Sequence, residues 1–184
     1  MKNYVDKALE LGFSEVKYLE DLSLECRADL RAYCTPEQCP LHGENWVCPP
    51  ACGTLAECAS RVQDFDRGFL LQSISKVKAP LVVERFQAIN EEHNFRFKDF
   101  VEFVKEDFIK ILPLTSGGCV FCESCSYPEP CIKPEIKMEA LSAFGIDVGE
   151  LRKTAGLDYS FRDDIVYLIA LLLISEKGGT AAHP

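Results

Sequence analysis

Positive charge is what this sequence lacks most: 20 Lys and Arg stand against 29 Asp and Glu, a net charge of −9. Such a surface repels nucleic-acid phosphates and anionic lipid, so neither is an expected partner. Long apolar runs are missing too. A membrane helix needs roughly 18 apolar residues, and the ten-residue run Ile165 to Ile174 is too short to be one. Nothing at the N-terminus resembles a signal peptide. The sequence also holds no phosphate loop, dinucleotide fingerprint or catalytic triad, so no catalytic residue is assigned. These absences give the expectation of a soluble, cytoplasmic protein.

Cysteine is abundant instead, with ten in 184 residues. In a reducing compartment that abundance points to metal or redox chemistry rather than to disulfides. The densest stretch is Gly117-Gly118-Cys119-Val120-Phe121-Cys122-Glu123-Ser124-Cys125, followed by Cys131. Three thiols at spacings of three fall on one tight loop, and Cys131 can close the ring from the far side. This is the wrapping pattern of a 4Fe–4S cluster, in which each iron takes one thiolate. Gly117 and Gly118 let backbone approach the cluster, and Pro128, Pro130 and Pro134 stiffen the return. The run departs from the bacterial ferredoxin pattern, because five residues rather than three precede the fourth Cys. Zinc is the alternative, but its four-thiolate sites favour two separated C-x2-C knuckles. Bridges within adjacent C-x2-C loops would be strained.

A second constellation comprises Cys34, Cys39 and Cys48, followed by Cys52 and Cys58. Its spacing is looser, but Pro36, Pro40, Pro49 and Pro50 restrict the loop and lower the entropy lost on ordering it around a metal. Thr54 and Glu57 form a capping box that opens a helix running to about Phe65. Cys58 therefore sits near a helix N-terminus, where a thiolate is favoured, and Cys52 is the rival fourth ligand. Scattered buried thiols are the plain alternative. Trp46 reads as a packing shield over the loop, Cys26 as a core thiol, and His42 as an outside ligand candidate.

The segments W-V-C-P-P-A-C-G-T-L-A-E-C, G-G-C-V-F-C-E-S-C-S-Y-P-E-P-C and M-E-A-L-S-A-F-G-I-D-V resemble, in order, the DUF2284 family of predicted metal-binding proteins. The resemblance implies a small cytoplasmic metal or iron–sulfur protein with no reaction to carry over. It maps one ligand group onto Cys34, Cys39, Cys48 and Cys58, and another onto Cys119, Cys122, Cys125 and Cys131. It also makes Cys52 the less secure ligand.

The remaining elements follow from pattern. Asn3 caps a short helix with Val5, Ala8 and Leu9 as its buried stripe, stopped at Gly12. Residues 15–19 and 67–75 read as strands, and 22–33 as a strand entering the first cysteine loop. Helical spacing marks 83–92 and 97–112, with a polar break at 91–94 where His93 is a solvated turn residue. Pro113 ends the second helix and 112–115 is a short strand. Pro134 opens a helix stopped by Gly145, and Asp147 with Glu150 opens another stopped by Gly156. Periodicity cannot separate buried strand from buried helix for the run 165–174; its length and the family resemblance favour a central strand. The expectation is one α/β or α+β domain over 1–177, with two cysteine-rich loops on the rim of a modest sheet and a disordered tail at 178–184. Its leading function is electron transfer through two 4Fe–4S clusters, with a redox protein as partner and Lys133 and Lys137 flanking the second cluster. The competing classes are an iron–sulfur enzyme with an open iron position and a zinc-held interaction module.

Overall fold

The Asn3 side chain accepts a hydrogen bond from the Asp6 amide and so starts α1 (Tyr4–Glu10), the cap expected from the sequence. The computed structural model describes residues 3–78, 80–157, 160 and 162–176, so the expected tail at 178–184 lies outside the described residues. The chain continues through β1 (Glu15–Leu19), α2 (Ala28–Arg31), α3 (Leu55–Val62), β2 (Arg67–Lys76), α4 (Val83–Val104), β3 (Phe108–Thr115), β4 (Glu139–Ala140), α5 (Val148–Thr154) and β5 (Ile165–Glu176). The strands form one mixed sheet in the order β1-β2-β5-β3-β4. Among the described residues only the β3–β4 pair is parallel. This is an α+β arrangement.

The run that could not be told from a buried helix is the middle strand. β5 pairs β2 over ten residues and β3 over seven, so both of its edges are hydrogen-bonded, and each of its faces packs into an apolar core. Ile169, Leu171 and Leu173 enter a core with Leu70, Leu112, Phe144 and Leu151, to which Cys52 and Cys58 belong. Ala170, Leu172 and Ile174 enter the opposite core with Phe69, Phe97, Phe100 and Phe121, against which Cys119 packs. Each cysteine loop is thus anchored in a different face of the same sheet.

Several expectations are corrected. Residues 22–27 form no strand, and 28–31 are helical, because the Arg27 amide and guanidinium dock on Gly145 O (2.9 Å) and Asp147 (2.8 Å) rather than on a strand. No break interrupts α4: His93 is buried in it, with Nδ1 2.8 Å from Ser73 Oγ, its ring edge-on to Phe13. The second helix ends at Val104, and Phe108 to Leu112 pair with β5 despite their helical spacing. Pro113 lies inside β3, at a position where β5 is its paired neighbour and β4 has not yet begun. Pro134 opens only a 3-10 turn, followed by β4 and a second 3-10 turn that does end at Gly145 (φ +65). Leu9 is exposed, leaving Ala8 as the buried residue of α1, and Cys26 is half-buried against the core.

Candidate metal centre

β3 delivers the chain to Gly117, whose φ of +78 favours glycine, and then into the dense cysteine loop. Cys119, Cys122, Cys125 and Cys131 line one small recess together with Trp46, Val47, Ser126 and Lys137. Phe121 pins the loop from below. It is buried, meets Phe95 edge-on at 5.5 Å, and its carbonyl accepts from Lys133 Nζ at 2.6 Å. Ser126 Oγ donates to Pro130 O at 2.9 Å and closes the return. Burial raises the Cys119 thiol pKa; a backbone hydrogen bond at Phe121 opposes this, and Cys122, Cys125 and Cys131 add to it as neighbouring charges.

Trp46 covers more than its own loop. Its Nε1 donates to Glu129 O at 2.8 Å and its ring meets Tyr127 edge-on at 5.1 Å, so the first loop roofs the second site.

Within the first loop the five cysteines divide into two groups. Burial drives the Cys48 pKa up to about 11, opposed by a hydrogen bond from Asn45, with Cys39 and Cys34 adding to the rise as neighbours and Arg31 opposing it. Cys34 is raised by burial, opposed by Arg31 and reinforced by Cys39, and its Sγ donates to Ser142 O at 3.7 Å. These three thiols share one neighbourhood. Cys52 and Cys58 are both buried, and Cys58 Sγ donates to Cys52 O at 3.7 Å. The neighbouring Cys58 thiol is the main cause that raises the Cys52 pKa, with burial next. The Cys52 thiol in turn lowers Cys58 to about 7, against burial and with help from Arg31 and Arg61. The capping box expected from the sequence forms, with Thr54 Oγ1 accepting from the Glu57 amide at 3.2 Å and the Glu57 carboxylate from the Thr54 amide at 2.7 Å. It sets Cys58 in the first turns of α3.

The sequence reading missed Arg31. One guanidinium nitrogen lies 3.9 Å from Cys58 Sγ and the other donates to Gly53 O at 2.8 Å. Its spacing to Cys34 was a usable signal, since three residues apart on a helical turn bring side chains together, but the segment read as a strand. Also missed was the ion pair of Arg61 with the buried Glu139, which ties α3 to β4 beside Cys58.

Among the described residues, no three His, Cys, Asp or Glu side chains converge on one point as a single ion requires. A zinc ion holds its sulfurs about 2.3 Å from one centre. A polynuclear cluster gives each thiolate its own iron, so its ligands ring a space instead. Four cysteines lining one recess are a donor set that either group could take.

The model of the DUF2284 family, described as predicted metal-binding protein, matches residues 17–174. The chain belongs to this family. No curated protein and no solved structure matches it. DUF2284 membership and ten cysteines make this a metal-binding protein by family. Among the described residues no helix is long and apolar enough to cross a membrane.

Proposed function

We propose that this DUF2284 protein carries two 4Fe–4S clusters and acts in electron transfer. The observation that carries the reading is the recess in which Cys119, Cys122, Cys125 and Cys131 meet beneath Trp46. Cys34, Cys39 and Cys48 supply thiolates of the first site, with Cys58 as the fourth ligand. Such clusters, when bound, take up and release single electrons at potentials set by burial, hydrogen bonds to sulfur and nearby charge. The chain's own residues act on those quantities. Trp46 and Val47 keep water from the recess, Lys137 lines it, and Lys133 is held at its edge by Phe121 O. Both lysines offset thiolate charge there, as Arg31 does at the first site. The work requires a one-electron carrier protein as partner and suits a reducing cytoplasm.

One observation favours a second reading, an enzyme whose first site keeps an open position. Cys52 and Cys58, the candidates for the fourth ligand, are both buried in the core beneath the loop. An open iron can act as a Lewis acid on a bound molecule.

Elemental analysis of anaerobically purified protein tests the metal. About eight irons and matching sulfide per chain are expected for two cubanes, with visible charge-transfer colour. Cys122→Ser should lose about half of that iron. A colourless protein with stoichiometric zinc would overturn the reading in favour of a zinc-held interaction module.

A further inference from the structure

The start of α4 is left unpacked. Residues 81–88 are all exposed, and Ile89 is the first buried side chain of the helix. Four large apolar side chains fall in that stretch: Leu81, Val82, Val83 and Phe86, from 36% to 67% exposed. Together with the end of β2 the stretch walls an open groove of about 530 Å³. Val77, Leu81 and Val82 give the groove its aliphatic lining, and Val77 ties that wall to the buried Ile89, Val166 and Leu168. The polar lining is Lys76, Lys78 and Arg85, and no carboxylate lines the groove.

These cations differ from others in the chain. The net charge is −9, and many of the lysines and arginines meet a carboxylate, as Arg61 meets Glu139, Arg96 meets Glu92 and Lys110 meets Asp64. Among the described residues Lys76, Lys78 and Arg85 form no ion pair. Glu84, the acid in the first turn of α4, does not line the groove. On the same wall Val82 caps the helix and offers no side-chain acceptor to its first-turn amides. Three positive charges beside a bare aliphatic strip match a molecule that is negative at one end and apolar at the other.

We propose that this groove binds a soluble amphipathic carboxylate, with its tail on Val77, Leu81 and Val82 and its head held by Lys76, Lys78 and Arg85. The volume lies in the range of small-molecule sites, roughly 300–1,000 Å³. The planar guanidinium of Arg85 can take both carboxylate oxygens. A neutral ligand would leave the cations unmatched, and a cationic one would be repelled. Charge also decides against a large partner. An anionic bilayer or an acidic protein would bring many negative charges up to a surface that is itself negative. A single carboxylate in the groove meets chiefly the charges within a screening length of about 10 Å, and there the three cations dominate. None of the ten cysteines lines the groove, so the site stands apart from the metal reading.

The test is equilibrium dialysis of the as-purified protein against radiolabelled decanoate below its micelle threshold, with hexanoate, decanol and decyltrimethylammonium as competitors. Saturable binding of one decanoate per chain is expected. Decanol and decyltrimethylammonium should compete at least about tenfold less well, since each lacks the charge-assisted hydrogen bonds. Hexanoate, four methylenes shorter, should also be at least about tenfold weaker. Arg85→Gln and Val82→Gln change exposed side chains and should each weaken decanoate about tenfold with unaltered thermal unfolding. Lys17→Gln, an equal charge change on the exposed face of β1, should leave the affinity unchanged. Absence of saturable binding overturns the proposal, as does equal weakening by Lys17→Gln and Arg85→Gln, which would make net charge the whole effect. Binding to phosphatidylglycerol vesicles without binding of free decanoate overturns it in favour of a membrane surface. Iron content plays no part in these readouts, so either reading can fail while the other stands.

Discussion

Replacing Trp46 by Ala removes the roof that the first cysteine loop places over the second. The structure gives two separable losses. The Nε1 hydrogen bond to Glu129 O, at 2.8 Å, contributes about 1 kcal/mol. The edge-on contact with Tyr127, at 5.1 Å, contributes about 1 kcal/mol beyond its buried area. Together they hold the 117–134 segment closed by about 2 kcal/mol, which corresponds to a roughly 30-fold change in its opening equilibrium. Proteolysis of a transiently opened segment follows that equilibrium when opening and closing are fast. Cleavage within 117–134 should therefore accelerate about 30-fold in Trp46→Ala. Trp46→Phe, which keeps a ring but not the donor, should accelerate it about fivefold. Mass-mapped limited proteolysis reads both. Unchanged cleavage in 117–134 with faster cleavage in 34–52 would refute the reasoning, because Trp46 would then guard only its own loop.

Two further predictions concern the scaffold. Burial lowers the His93 pKa from 6.5 to about 4, against a weak opposing influence of the Ile169 backbone. The unfolded chain therefore takes up the proton first, and the stability due to the neutral ring is complete above about pH 6.5 and lost as pH falls toward 4, about 3 kcal/mol in all. Urea titrations at pH 7 and 4.5 should show a smaller acid-induced drop for His93→Gln than for wild type, and equal drops would refute this account. At Gly145, φ is +65, and an added Cβ would overlap the Arg27 carbonyl oxygen and lie 2.9 Å from its nitrogen. Left-handed backbone costs an L-residue about 1–2 kcal/mol, and backbone atoms cannot swing aside. Gly145→Ala should thus lower stability by about 3 kcal/mol or more in a urea titration, and a loss under about 1 kcal/mol would contradict the close approach.

What the sequence determined by itself is what depends on neighbours along the chain. Asn3, Thr54 with Glu57, and Asp147 make the caps read from their spacing, since a cap joins a side chain to an amide three residues on. The apolar run of β5 required burial on both faces, and its length favoured a strand. The C-x2-C-x2-C spacing and Cys131 marked the loop whose four cysteines line one recess. Tertiary structure decided where local preference met a stronger long-range partner. Phe108 to Leu112 repeat at helical spacing, yet pairing with β5 satisfies their backbone and makes them a strand. His93 sits in a polar stretch that reads as a turn, but the fold of α4 onto the sheet buries it against Ser73. Glu135 to Phe144 can start a helix, but β3 draws Glu139 and Ala140 into a parallel pair. The site shows the same division. Spacing found the thiols, while only the folded chain put Trp46 over the second loop and set Arg31 beside Cys58. Those contacts join residues far apart in sequence, and their energy exists only once the sheet has brought both loops to its rim.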